Sequence, residues 1–139
     1  LAAVSRVAGV STAYLDTSFF VAILLGEPGA ARLQRILAMH DRVLTSDLLV
    51  AEALAAAARE GIDIELLRPA LSAVTLVLPS RSLEGELRRS LELGRLRGAD
   101  LWHVACALFV AGSTPGDLAF LSRDAAQRTV ARRLGFPTP

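Results

Sequence analysis

The sequence contains no lysine: all 15 of its basic residues are arginine, set against 14 acidic residues for a formal net charge of +1. Such a balance gives no global basic field that would by itself demand a nucleic-acid partner. Arginine forks suit phosphate, but an Arg-, Ala- and Gly-rich chain also follows from genomic base composition, which is the weightier explanation. A single cysteine, Cys106, excludes an internal disulfide and a multi-cysteine zinc site, and fits a reducing compartment with the cytoplasm as default. The apolar run at residues 19–25 is far short of the roughly 20 residues a membrane span requires. Residues 1–12 lack the continuous apolar segment of a signal peptide and read as an N-terminal extension.

What is present is apolar. The hydrophobic fraction of 53% over 139 residues argues for one folded domain, residues 13–139, with a substantial core. Short apolar runs alternate with helical patterns, the spacing of βαβ units, so an α/β fold with a mainly parallel sheet and helices on both faces is expected. Strands are expected around Tyr14 and Leu15 and at residues 42–45, 74–78 and 118–121. The run at 74–78 is the clearest by β-branched content. Helices are expected at 18–25, apolar all round and therefore buried, and at 30–39, 48–59, 82–96 and 125–134, with another opened by Asp100. Pro69 should kink or shorten any helix across 64–73.

Four carboxylates then recur at matching places. Asp16 and Asp124 each follow an apolar run, Asp100 opens a helix, and Glu52 lies early in one, facing Leu48, Leu49 and Ala56. Asp16 is also a natural helix cap beside Thr17 and Ser18, and Glu52 could serve a buried ion pair. All four can nonetheless meet at the carboxyl edge of a parallel sheet, where ligands bind in such folds. Two like charges about 4 Å apart repel by roughly 4 kcal/mol at an effective dielectric near 20, so a cluster needs a cation or raised pKa values. Hard oxygen donors favour Mg²⁺ or Mn²⁺, and phosphodiester hydrolysis is the natural chemistry. His103 reads as a packed, hydrogen-bonded core histidine rather than a ligand, and Trp102 as core or dimer surface. Arg88, Arg89, Arg95 and Arg97 lie mainly on a solvated face and are secondary candidates for phosphate contact.

Four motifs in order, Leu15-Asp16-Thr17-Ser18, Ser46 to Glu52, Ala99 to Ala105 and Phe120 to Asp124, resemble the PIN-domain family over residues 13–136, and within it the VapC toxins of toxin-antitoxin pairs. The resemblance implies a compact three-layer α/β/α sandwich and an Mg²⁺- or Mn²⁺-dependent endoribonuclease. It also implies a homodimer silenced by a small VapB-like antitoxin in its active-site groove. By position, Asp16, Asp100 and Asp124 would hold the metal and Glu52 would orient a water or complete the shell. Thr17, Ser18 and Ser122 would border the site, while Arg123 and Arg97 could reach RNA phosphate. Asp117 is a rival for the fourth acid, but it precedes the last strand whereas Asp124 follows it. Two other readings compete. A haloacid dehalogenase-like phosphatase would need a second Asp where Ser18 stands, and a PIN-fold binding module without catalysis would tend to have lost an acid. A surplus of apolar residues, Phe19, Phe20 and Trp102 among them, suggests surface shared with a partner.

Overall fold

The computed structural model describes residues 9–139. Its strands are β1 (Thr12–Leu15), β2 (Arg42–Ser46), β3 (Thr75–Val77) and β4 (Leu118–Leu121), all parallel in the order β3-β2-β1-β4. Seven helices accompany them among the described residues: α1 (Thr17–Leu24), α2 (Ala30–Ala38), α3 (Asp47–Arg59), α4 (Arg68–Ala73), α5 (Glu84–Leu91), α6 (Gly98–Ala111) and α7 (Ala125–Leu134). The result is a three-layer α/β/α sandwich of PIN-like form, as the sequence led us to expect.

Strand alternation explains the layers. Successive side chains point to opposite faces, so in β1 Tyr14 joins one core while Ala13 and Leu15 join the other. β4 repeats the division, with Leu118 and Phe120 on Tyr14's side and Ala119 and Leu121 opposite. The Tyr14 side is covered by α6, α7 and Leu83, and Tyr14 stacks on Phe120 with ring centroids 5.6 Å apart. The other side is covered by α1, α2 and α3.

Several expectations need correction. The strand expected at 74–78 is present but shorter, its ladder confined to Thr75–Val77; it pairs with β2 alone, and Leu76 and Leu78 are exposed, because a strand at the sheet edge needs neither covered faces nor two ladders. The helix expected over 82–96 stops at Leu91, and Gly94 then approaches α7 so closely that a Cβ there would meet Val130 Cγ2 at 2.7 Å. Helix α1 buries Phe19, Phe20 and Ala22 but leaves Val21, Ile23 and Leu24 partly exposed, so it is not enclosed all round. Phe19 and Phe20 therefore belong to the chain's own core and are not spare surface for a partner. Pro69 sits in the first turn of α4, where a missing N–H costs no helical bond, and residues 64–67 form a separate 3-10 turn.

Of the expected N-terminal extension, residues 1–8 lie outside the described residues. Thr12 opens β1, and the Ser11 N–H donates to Asp41 Oδ2 at 3.0 Å. Among the described residues no helix is long and apolar enough to cross a membrane.

Candidate active site

From β1 the chain crosses to β2 on one side and returns much later to β4 on the other, so the β1–β4 gap is the point where strand order reverses. Crevices at such points, beyond the carboxyl ends of the strands, are where open α/β sheets bind ligands. Asp16 leaves β1 at that gap, its backbone N–H bonded to Leu121 O at 2.9 Å, and Ser122 leaves β4 beside it.

Asp16 is buried, 2% exposed. It caps α1, its Oδ2 accepting from the Ser18 N–H at 2.9 Å and from the Ser18 hydroxyl. Its Oδ1 accepts from Gln127 Nε2 at 3.0 Å, and Ser122 Oγ lies 3.5 Å from Oδ2. Asp124 caps α7 by accepting from the Gln127 N–H at 2.7 Å. Asp100 occupies the first turn of α6, where the dipole favours an acid. Glu52 projects from the second turn of α3 and accepts from the Thr17 hydroxyl at 2.7 Å. Asp117 ends a 3-10 turn at the amino end of β4, remote in topology from this edge.

His103 underlies the group. It is 1% exposed, with Nδ1 2.8 Å from the Tyr14 hydroxyl and Nε2 2.9 Å from Thr17 Oγ1, 3.4 Å from Glu52 Oε1 and 3.8 Å from Asp16 Oδ1. It is thus the packed, hydrogen-bonded histidine expected. Burial raises the Tyr14 hydroxyl pKa well above its ordinary range, so the phenol keeps its proton. Burial likewise pushes the Cys106 thiol up to about 12, which makes it an inert core residue.

Gln127 is the residue that sequence reading missed. It is fully buried; its Nε2 bonds Asp16 Oδ1 and Asp100 O at 3.0 Å each, and its Oε1 accepts from Ser122 Oγ. One amide therefore ties β1, α6 and the β4–α7 turn together.

Asp100 feels the charges of the other three acids. The Asp100 carboxyl is raised above the usual range, first by burial and then by the charges of Asp16, Asp124 and Glu52, with only His103 acting in the other direction. Among the described residues none of the four is ion-paired with an arginine. Arg123 pairs with Glu27 at 2.8 Å and Arg88 with Glu84 at 2.8 Å, while Arg97 is exposed at the N-cap of α6. Among the described residues no three His, Cys, Asp or Glu side chains already form a group that could hold a metal ion. The donor chemistry still fits Mg²⁺, which keeps several waters and is held through one or two carboxylates plus substrate oxygens rather than by an all-protein cage. Beside the acids, Asp47, Leu48, Ala51, Gly98, Ala99 and Trp102 line an open groove of about 630 Å³, and Trp102 is fixed there by donating Nε1–H to Ser46 Oγ at 3.1 Å.

Comparison with protein families places this arrangement. The profile of the PIN domain matches residues 13–133, nearly the whole chain. The chain belongs to the PIN domain family. A comparison with curated proteins finds no match. PIN domains are generally divalent-metal-dependent nucleases, so this PIN domain is of nuclease type, a hydrolase.

Proposed function

We propose that this PIN domain is an Mg²⁺- or Mn²⁺-dependent endoribonuclease acting as the VapC-like toxin of a toxin-antitoxin pair. The observation that carries the reading is that Asp16, Glu52, Asp100 and Asp124 lie toward the strand-order switch point and, among the described residues, none is paired with an arginine. Asp100, Asp16 and Asp124 are the residues that would hold the ion. When bound, it supplies Lewis acidity and offsets the charge of carboxylates and phosphodiester together.

The chain's own residues do the rest. Asp16 is held by three donors, the Ser18 N–H and hydroxyl and Gln127 Nε2, and Gln127 is itself held by the Ser122 hydroxyl. Glu52 has only Oε1 engaged, so Oε2 can orient an attacking water and accept its proton. Arg123 can exchange Glu27 for a flanking phosphate, because an exposed ion pair contributes only about 0–1 kcal/mol. Arg97 offers a second cation at the α6 rim.

Preference for RNA, a homodimeric state, a small VapB-like antitoxin in the groove and a cytoplasmic setting follow from the VapC resemblance. A short open reading frame adjoining the gene would support the antitoxin. A second reading is a PIN-fold RNA-binding module without cleavage.

Cleavage of structured RNA by purified protein in Mg²⁺, Mn²⁺ or EDTA, beside Asp16→Asn and Asp100→Asn, decides between them. Cleavage should require the cation and be abolished by each substitution while both variants remain folded by circular dichroism. Binding without cleavage in either cation would establish the second reading instead.

A further inference from the structure

Below the carboxylates four side chains from four elements stand in line: Tyr14 of β1, His103 of α6, Thr17 of α1 and Glu52 of α3. The contacts are 2.8 Å from the Tyr14 hydroxyl to Nδ1, 2.9 Å from Nε2 to Thr17 Oγ1, and 2.7 Å from Thr17 Oγ1 to Glu52 Oε1. Tyr14 and His103 are at most 1% exposed, so solvent cannot replace a missing partner at the inner end.

The protons along this line have one consistent arrangement around a neutral ring. An ionised carboxylate only accepts, so the single hydroxyl proton of Thr17 goes to Glu52. Thr17 Oγ1 can then only accept from the imidazole, which puts the ring proton on Nε2. The lone pair is left on Nδ1, and the Tyr14 phenol donates to it. His40 gives an internal contrast: its Nδ1 lies 2.9 Å from the Ile36 carbonyl, which can only accept, so that ring carries its proton on Nδ1.

We propose that Tyr14, His103 and Thr17 form a one-way hydrogen-bond relay that positions Glu52, engaging its Oε1 and leaving Oε2 turned to the substrate. Glu52 needs such help, because its side chain is 37% exposed and, among the described residues, apart from Thr17 only the more distant His103 Nε2 at 3.4 Å reaches it. The three are positioning residues acting through a carboxylate, in the way that partners of active-site ligands fix ligand orientation. The part Glu52 plays in cleavage rests on the nuclease reading; the relay itself is observable without any turnover.

The test therefore has two arms. In ¹⁵N-resolved NMR of the metal-free full chain, the His103 ring proton should lie on Nε2, opposite to His40, and Tyr14→Phe should shift the His103 Nδ1 resonance. In RNA cleavage, Thr17→Val should lower kcat by about 10- to 100-fold with KM nearly unchanged. Thr17→Ser should restore most of the rate by returning the hydroxyl, and Tyr14→Phe should give a smaller loss than Thr17→Val. A His103 ring protonated on Nδ1, or on both nitrogens, overturns the relay, as does an unchanged kcat in Thr17→Val. Should the wild type cleave no RNA, the nuclease reading falls, and the NMR arm alone then decides for or against the relay.

Discussion

The acidic cluster is built in two different ways on its two sides. On the inner side, Asp16 and Glu52 are tied to neutral donors: Ser18 and Gln127, the latter fixed by Ser122, hold the first, and Thr17 backed by His103 holds the second. On the outer side, Asp124 accepts only one backbone N–H, and among the described residues no donor engages the Asp100 carboxylate. The inner half is ordered by the fold, at the cost of burying polar groups that must all be satisfied, and among the described residues they are. The outer half leaves Asp100 facing burial and the charges of Asp16, Asp124 and Glu52, with only His103 acting against them.

The comparison breaks most severely at cleavage itself, since losing Asp16 or Asp100 should abolish it from either half. Stability separates the halves next. Replacing Gln127 by Leu keeps the volume but removes the donor to Asp16 Oδ1 and to Asp100 O and the acceptor for Ser122. A hydrogen bond to a buried charged group contributes about 1.5–3 kcal/mol, so urea unfolding should show a loss of about 3 kcal/mol in total. A loss under about 0.5 kcal/mol, the level of an ordinary surface substitution, would mean that the inner half is not held by this amide.

The outer half should respond with the opposite sign. The folded-state pKa of Asp100 is raised, chiefly by burial, so its stabilising contribution is complete below the unfolded-state pKa and is lost as pH rises through the folded value. At neutral pH the metal-free protein therefore carries a penalty that Asp100→Asn removes. In EDTA the variant should melt up to about 4 °C higher, and the gap should close as pH falls below the ordinary carboxylate range. Mg²⁺ should raise the Tm of the wild type more than that of the variant, because binding to the folded state alone stabilises it. A variant that melts lower in EDTA would contradict the assignment of this penalty to Asp100.

The same contrast explains what the sequence disclosed. The candidate acids stood out because Asp16 and Asp124 each follow an apolar run while Asp100 and Glu52 lie early in helices, positions that parallel topology sets at one sheet edge. The outer edges were less legible. Residues 74–78 look like a core strand because β-branched content reports side-chain type, not how many neighbours a strand has. The leucine spacing over 82–96 continues past the true end of α5, since Leu93 and Leu96 still pack on the core while Gly94 comes too close to Val130 for a side chain. Gln127 could have been found: it shares the inward face of α7 with Val130, Ala131 and Leu134, and a polar group on an apolar stripe calls for a partner, the logic already applied to Glu52. The Tyr14–His103 pairing could not, because it joins residues 89 apart through tertiary packing alone.

The smallest expected effect concerns the rim. Arg123 is 38% exposed and its pairing with Glu27 couples the α1–α2 turn to the turn after β4, outside both halves of the cluster. Glu27→Ala should scarcely move the melting temperature, since exposed pairs contribute about 0–1 kcal/mol. The same change frees the Arg123 guanidinium for phosphate, so it should lower KM for RNA modestly at low salt and leave kcat alone. Arg123→Ala should raise KM, and because one phosphate contact is lost, the dependence of RNA affinity on salt should flatten by about one unit of logarithmic slope. If Arg123→Ala left KM and the salt slope where they were while Arg97→Ala moved both, the phosphate track would run along the α6 rim, on the Asp100 side of the cluster.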